Sequence, residues 1–522
     1  MDNNNLKKSP KDFDKLEKEF FQNMKDKNLS ENLCKYVWYV LIYTQRGYGF
    51  NKAHTLAYSC IGVQEAYLNY KYNPIYWQTA NLIVNSGSYD EDSNESTNYD
   101  KIGVAIATIQ MDGVKVEHPL INEAQFEFTP DIKNNQIMFG LKGINGVNTD
   151  IAQSIIQNRP FQSIEDFATR MIDTKIIKNS QMVKLIKGGC FTGIDSEDKT
   201  KTMKWYLSKY CINPVTSLTL SQFNRMIEYN IIPNEYDLAV KMINFKKYVL
   251  ADEGLYEKWI DTSKSRIPKR GYHDGHYILD EPSQEFFKQH FTEESIVDVV
   301  GGFYVLSEKK FIKEIDKKIE PLREWFNSEE AIQVYNQTLF NEVWDKYANG
   351  TPEAWSMEAL TYYDGDHELK NVPENLYGIV NFFELPEEPV AYEFYTKYID
   401  GKPKAIPKYN ISRIAGTVVQ TDNNHHSIAL VTTHGLVNIK FSKGHYAFYN
   451  KRISQIGENG KKTTIEDSWL KRGNKLLVSG YRRGEQFIPW TYNDTIYRHR
   501  INLIENINED GTLKLKAERA KV

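Results

Sequence analysis

The sequence predicts a multidomain α+β protein, mainly α-helical through its first three quarters and closing with a small β-barrel. Three observations predict this. Apolar residues recur at helical spacing along the first part of the chain. After Pro407 the pattern changes to short strands divided by turns. The 522 residues, at about 150 per domain, make three or four domains. Hydrophobic residues make up 41% and charged residues 26%, enough to fill several cores, which excludes a disordered or collagen-like chain. The 65 basic and 69 acidic residues leave a net charge of −4, so a uniformly basic coat is excluded and any DNA contact must come from local patches. Cys34, Cys60, Cys190 and Cys211 stand without CxxC spacing and read as buried thiols in a reducing compartment, not as a disulfide framework or zinc ribbon. The polar start MDNNNLKKSPKDFDK has no apolar h-region, and the apolar run Tyr36–Tyr43 is too short to span a bilayer. A soluble cytoplasmic protein with no membrane contact is expected.

In chain order, residues 11–29 place Phe13, Leu16, Phe20, Phe21 and Met24 at helical spacing, an amphipathic helix. Ser30 is expected to cap the next helix, which carries Leu33, Tyr36, Trp38, Tyr39 and Ile42 until Gly47 and Gly49 break it. A third helix is expected from about His54 to Tyr70, ending before Asn73-Pro74. Residues 86–99 are polar and acidic and read as a loop. A strand over Gln136–Leu141, a turn at Gly143–Gly146, a helix over Asp150–Asn158 and a small helical unit opened by Pro160 and Phe161 follow. Residues 201–400 read as mostly helical. The closing strands are Ile414–Gln420, Ser427–Thr433, Leu436–Phe441, Lys475–Ser479 and Gln486–Trp490. Five strands with a helical interruption between the third and fourth form the pattern of an OB-fold barrel.

The most specific stretch is Gly47-Tyr-Gly-Phe-Asn-Lys-Ala-His-Thr-Leu-Ala-Tyr-Ser59, followed by Gln64-Glu-Ala-Tyr-Leu68 and Tyr72-Asn-Pro74. It closely resembles the fingers segment of the bacterial C-family replicative polymerases, the DNA polymerase III alpha subunit, with a wording nearer the bacteriophage branch. Lys7-Lys8-Ser9-Pro10 resembles the basic lead-in to the same subdomain. In the family's order come Ile121-Asn-Glu-Ala-Gln-Phe-Glu-Phe128, Phe139-Gly-Leu-Lys-Gly-Ile-Asn-Gly-Val147, Phe161-Gln-Ser-Ile-Glu-Asp-Phe167 and Leu185-Ile-Lys-Gly-Gly-Cys-Phe191. Glu358-Ala-Leu-Thr-Tyr-Tyr363 with His367-Glu-Leu369 resembles the segment just before the family's OB domain. The resemblance covers residues 1–195 and 355–500. It implies fingers over 1–120, a helix-hairpin-helix over 121–200, a mainly helical connector of unknown role over 201–400, an OB-like domain over 401–500 and a tail over 501–522.

In that frame Lys7, Lys8, Arg46, Asn51, Lys52, His54 and Tyr58 are the candidates for binding primer-template and incoming dNTP. Lys52 and His54 near a helix start present a cation and a donor to phosphate oxygens. The same pattern also suits an ordinary helix N-terminus with Tyr58 in the core. Lys142, Gly143, Asn145 and Gly146 form the candidate hairpin, whose glycines let backbone N–H groups approach duplex phosphates; a plain tight turn is the other reading. Lys440, Phe441, Lys443, Tyr446, Arg482 and Arg483 alternate cations and rings as a single-strand groove does, though a barrel core also uses such rings. Gln333–Phe340 is a loose match to a sliding-clamp peptide with Asn336 in place of its Gln, and equally a helix face. His273, His276, His425 and His426 read as loop residues without metal spacing.

Polymerase chemistry needs carboxylates holding two metal ions about 4 Å apart, and the family carries them on a palm that precedes the fingers. Asp12-Phe-Asp14 falls inside a charged helix and Asp364-Gly-Asp366 in a Tyr-rich turn. No catalytic or metal-binding residue is therefore expected here, and the Mg²⁺ pair is expected on a partner. The resemblance implies a component of a split DNA-directed DNA polymerase, a nucleotidyltransferase, whose N-terminal half is another chain; a Met ahead of the basic lead-in favours a split gene product. If viral, it works in the host cytoplasm. The alternative is a non-catalytic DNA-binding tether derived from such a polymerase.

Overall fold

The computed structural model describes residues 10–43, 52–90, 95–194, 198–250, 275–399, 401–456, 461–492 and 499–520. Helices open the chain: α1 (Pro10–Asp26), α2 (Glu31–Tyr36), which runs on into a π-helical turn at Val37–Ile42, and α3 (Lys52–Lys71). Ser30 sits at the N-cap of α2 but makes no side-chain capping bond. Asn73, in contrast, accepts from the Ile75 N–H at 3.1 Å and, with Pro74 in the first turn, starts α4 (Pro74–Ser86). Gly87, in the left-handed conformation at φ 69°, ends it. α5 (Tyr99–Met111) follows the acidic loop.

A three-stranded sheet of β1 (Lys115–Glu117), β2 (Thr129–Asp131) and β3 (Gln136–Met138) comes next, in the order β1-β3-β2. The strand expected to reach Leu141 stops at Met138. Gly140 lies so close to the Glu127–Phe128 backbone that no side chain fits there, and the chain turns into a short 3₁₀ helix at Leu141–Gly143. Then come α6 (Thr149–Gln157), α7 (Ile164–Met171), α8 (Asn179–Lys187) and α9 (Lys199–Tyr206). One hydrophobic core joins α4 through α9 to α16 (Pro352–Leu360), with Phe139, Phe167, Tyr206 and Trp355 buried inside it. A boundary at residue 120 would cut this core.

The connector is not helical throughout. Beside α10 (Leu220–Glu228), α11 (Asp237–Leu250), α12 (Glu281–His290), α13 (Glu308–Lys318), α14 (Glu320–Phe326) and α15 (Glu329–Tyr347), it holds β4 (His276–Ile278), β5 (Ile296–Val300) and β6 (Phe303–Ser307). These pair in the order β4-β6-β5, and Tyr277 and Leu306 share one core with Phe245, Phe287 and Phe311 of the surrounding helices. His276 is thus a strand residue rather than a loop one, and His273 lies outside the described residues. The three strands escape a sequence reading because each is five residues or shorter and lacks alternation. After α17 (Glu374–Tyr377), β7 (Ala391–Ile399) and β8 (Lys402–Tyr409) form a separate antiparallel ribbon.

The barrel is built from β9 (Ser412–Asp422), β10 (Ser427–Thr432), β11 (Gly435–Lys440), β14 (Lys475–Arg483) and β15 (Gln486–Pro489). Between its third and fourth strands lie α18 (Lys443–Asn450) and the small hairpin β12 (Ile453–Ile456) with β13 (Lys462–Glu466). β9 pairs with β10 and β14, β10 with β11, and β15 joins β11 in parallel to β14 in antiparallel. The ring is closed, with the five-strand order of an OB-fold. Closure leaves Gly480 against the Ile488 carbonyl, too close for any side chain. Val418, Leu430, Ile439, Leu476 and Phe487 fill the interior.

Residues 501–520 are not a tail. β16 (Ile501–Ile507) pairs with β14 and β17 (Leu513–Lys516) pairs with β16, extending the same sheet. Arg519 is buried against Glu466, Nε donating to Oε2 at 2.9 Å. Lys516 lies 2.7 Å from the other carboxylate oxygen, and the Trp469 indole donates to it at 3.0 Å. Burial raises the Glu466 pKa, but these cations and donors outweigh it and hold the group down at about 2. No helix among the described residues is long and apolar enough to cross a membrane. Cys34 and Cys190 are buried as expected, Cys211 is half-buried, and Cys60 is exposed on α3, a correction that follows from the exposure of every described side chain of that helix.

Candidate nucleic-acid interface

The hairpin is set by the 3₁₀ turn and by Asn148, whose side chain accepts from the Ile151 N–H at 3.0 Å and starts α6. Of the four candidate residues only Gly146 is exposed, its N–H donating to the Tyr99 hydroxyl at 3.4 Å. It has φ 87°, and an added Cβ would find only Lys184 Cγ, at 4.0 Å. Gly143 is a packing glycine, since a Cβ there would strike Phe139 at 2.8 Å and Phe128 at 2.9 Å. Asn145 ties the turn to α16, its N–H donating to the Ala359 carbonyl at 2.8 Å and its amide to the Glu358 carbonyl at 3.2 Å. Lys142 is buried, and desolvation lowers its pKa; it does not stand free for phosphate.

Sequence reasoning misses the cation beside Gly146, Lys184, and its helix neighbour Lys187. Lys184 and Lys187 of α8 both pair with Glu358, Lys187 at 2.5 Å while itself buried. Burial raises the Glu358 pKa, yet the two ammonium groups outweigh it and keep the carboxylate charged. The i, i+3 spacing of Lys184 and Lys187 on one helix face is the signal that could have found them.

In the barrel the six candidates separate. Phe441 and Tyr446 are core residues, 4% exposed each, and the Tyr446 hydroxyl donates to Asn423 Oδ1 at 2.8 Å. Neither offers a ring to a base, because both pack into the barrel interior with Tyr449 and Trp469. Arg482 is also buried, donating to the carbonyls of Gly484 at 2.9 Å and Leu385 at 3.0 Å, with its guanidinium 4.7 Å from the Phe382 ring. Lys440 donates to the His425 carbonyl. Lys443 and Arg483 are exposed, Arg483 lying 5.5 Å from the Tyr481 ring and 5.9 Å from that of Tyr409. His425 and His426 are turn residues, His425 Nδ1 standing 2.7 Å from Asp422.

Of the fingers candidates, Lys7, Lys8, Arg46 and Asn51 lie outside the described residues. Lys52 opens α3. His54 and Tyr58 face each other edge to ring at 4.6 Å, and Tyr58 is 64% exposed, which overturns its core reading. The clamp-like segment is a helix face: Tyr335 is buried, and the Asn336 side chain bonds the Val215 N–H and carbonyl at 2.9 and 3.0 Å.

The Asp364-Gly-Asp366 carboxylates are already paired with cations. Asp364 stands 3.1 Å from His118 Nδ1 and 3.4 Å from the Lys199 ammonium, which outweigh burial and hold its pKa down, while Asp366 pairs with Lys370 at 2.7 Å. Asp14 is exposed on α1. Among the described residues no three His, Cys, Asp or Glu side chains cluster to hold a metal ion.

A helix-hairpin-helix family model matches residues 113–201. The chain is 42% identical over 513 residues to the probable DNA polymerase YorL of Bacillus subtilis and, equally, to a DNA-directed DNA polymerase of Bacillus phage SPbeta, covering 97% of this chain and 38% of each relative. It is 31% identical over 198 residues to DNA polymerase III subunit alpha of Borreliella burgdorferi, 37% of this chain and 16% of that protein. The chain thus spans little more than a third of the polymerases it matches over nearly its own full length. With a helix-hairpin-helix and a closed five-stranded barrel of OB-fold order, this chain resembles the C-terminal region of the DNA polymerase III alpha, C-family, polymerases.

Proposed function

We propose that this chain is the DNA-holding component of a split replicative DNA-directed DNA polymerase. It gives fingers, hairpin and barrel to a partner polypeptide whose palm carries the catalytic carboxylates and two Mg²⁺ ions. The observation that carries this reading is α3. Its apolar residues fall on every side, and all its described side chains are exposed, Leu56 at 61%, Val63 at 69% and Tyr70 at 90%. Large apolar side chains exposed together in this way mark a surface that works covered by a partner. Leu33, Tyr36, Val40 and Leu41 of α2 and its π turn are exposed too. The occupant that fits is the remainder of the polymerase, since this chain matches 38% of such a protein's length.

In this arrangement α3 brings Lys52 and His54 toward the dNTP and primer terminus of the partner. Gly146 and the α6 N-terminus lie along the duplex, and Lys443 and Arg483 along the strand beyond it. The work of the chain is then positioning and charge neutralisation. Isothermal calorimetry of this chain with the palm-bearing polypeptide tests the association. Leu56→Ala with Val63→Ala and Tyr67→Ala weakens it at least tenfold, about 1.4 kcal/mol. Tight association that ignores all three changes refutes the α3 interface. In the reconstituted enzyme, Lys52→Ala with His54→Ala lowers extension rate and apparent dNTP affinity; if both stay unchanged, the fingers assignment is wrong.

A further inference from the structure

The ribbon β7–β8 carries an arrangement that its own stability does not explain. In its register Phe394 stands opposite Pro407, Thr396 opposite Ala405 and Tyr398 opposite Pro403, so one face is apolar and aromatic. Phe394 is 65% and Tyr398 72% exposed, and no described side chain of the ribbon belongs to a buried core. The other face sets Lys397 directly opposite Lys404, with Lys402 next along the strand. Like charges directly opposite destabilise a strand pair, and a two-stranded ribbon is marginal in water to begin with. Glu393 is the acid on that face and already pairs with Lys408 at 2.9 Å. Exposed rings and unopposed cations on one thin element are the two components of a single-strand groove, where bases stack and phosphates are neutralised.

The ribbon's root ties it to the barrel. The Tyr409 N–H donates to the Tyr492 hydroxyl at 2.7 Å, and the Tyr409 ring lies 4.8 Å from that of Tyr481, beside Arg483. The ribbon is only two strands wide, so the long, flexible lysine side chains of one face reach round its edges toward the other. We propose that β7–β8 is a single-stranded DNA binding site: Phe394 and Tyr398 stack bases, Lys397, Lys402 and Lys404 meet phosphates, and the ribbon continues outward the strand path of the barrel. This rests on the reading of the chain as the DNA-holding part of a polymerase.

The test is fluorescence anisotropy of the full chain with labelled oligo(dT) and with a blunt duplex of equal length, across a salt series. Phe394→Ala with Tyr398→Ala weakens oligo(dT) binding about tenfold or more and leaves duplex binding unchanged. Lys397→Glu separates binding from folding. It places an acid opposite Lys404, which favours the ribbon, yet it weakens oligo(dT) binding and lowers the salt slope by about 0.7 for each phosphate left unneutralised. Thermal unfolding of both variants matches the parent. Unchanged oligo(dT) affinity in both variants, with the parent binding well, overturns the ribbon site and leaves the polymerase reading standing. Variants that keep oligo(dT) but lose the palm-bearing polypeptide show a protein-docking ribbon and also overturn it. A parent chain that binds no DNA overturns the underlying reading together with the ribbon.

Discussion

In the barrel, Val418, Leu430 and Phe487 are fully buried, whereas on α3 Leu56, Val63 and Tyr70 stand well over half exposed, although both stretches are rich in apolar residues. The barrel strands place their large side chains inward, and closure gives every strand a paired neighbour on both edges. α3 turns none of its described side chains to a core. One region completes its own core, and the other leaves its large apolar side chains exposed, the surface assigned above to the proposed partner. The difference separates stability from assembly: substitutions in the barrel are felt in the isolated chain, and substitutions on α3 are felt when a partner is present.

The largest effect is expected for Phe487→Ala, which empties a closed interior and costs about 3–5 kcal/mol in urea or thermal unfolding. Next comes Glu466→Gln, which leaves Arg519, 2% exposed, without its counter-charge and costs about 3 kcal/mol. Glu466 also gives the barrel an acid limit. Its folded pKa is depressed to about 2, so its contribution is complete above the unfolded value of about 4.5 and is lost as pH falls toward 2.

His367 sets an earlier limit. Its Nδ1 accepts from the Leu369 N–H at 3.0 Å, so the proton is on Nε2, which donates to the Val431 carbonyl at 3.0 Å. Burial lowers its pKa to about 4. The neutral ring therefore stabilises fully above about pH 6.5, and up to about 3 kcal/mol is lost between there and pH 4. His367→Gln removes that phase from a pH series of unfolding midpoints and leaves the Glu466 phase. The smallest effect is Leu56→Ala, within about 0.5 kcal/mol in the isolated chain. A cost near that of Phe487→Ala would erase the contrast between the two regions.

The barrel was legible in the sequence because each strand is bounded by a turn and the helix falls between the third and fourth. α1 and α3 were legible from spacing and from the Asn73-Pro74 break. Site residues were less so, because sequence does not tell an inward ring from an outward one: Phe441 and Tyr446 pack within the core, and Arg482 spends its donors on backbone carbonyls. Gly143 and Lys142 read as a phosphate cradle, but the long-range packing that buries them comes from Phe128 and Phe126. The β7–β8 ribbon was missed because Pro403 and Pro407 argue against a strand, a rule that holds for central strands and not for a two-stranded ribbon, where every strand is an edge.

The most direct measurement is primer extension with Mg²⁺ and dNTPs, by this chain alone and by this chain mixed with the palm-bearing polypeptide. A split polymerase extends the primer in the mixture and not with this chain alone. Extension by the chain alone would contradict that reading and place a metal site among its helices and turns. No extension in the mixture, with DNA binding intact, would contradict it too and make the chain a tether.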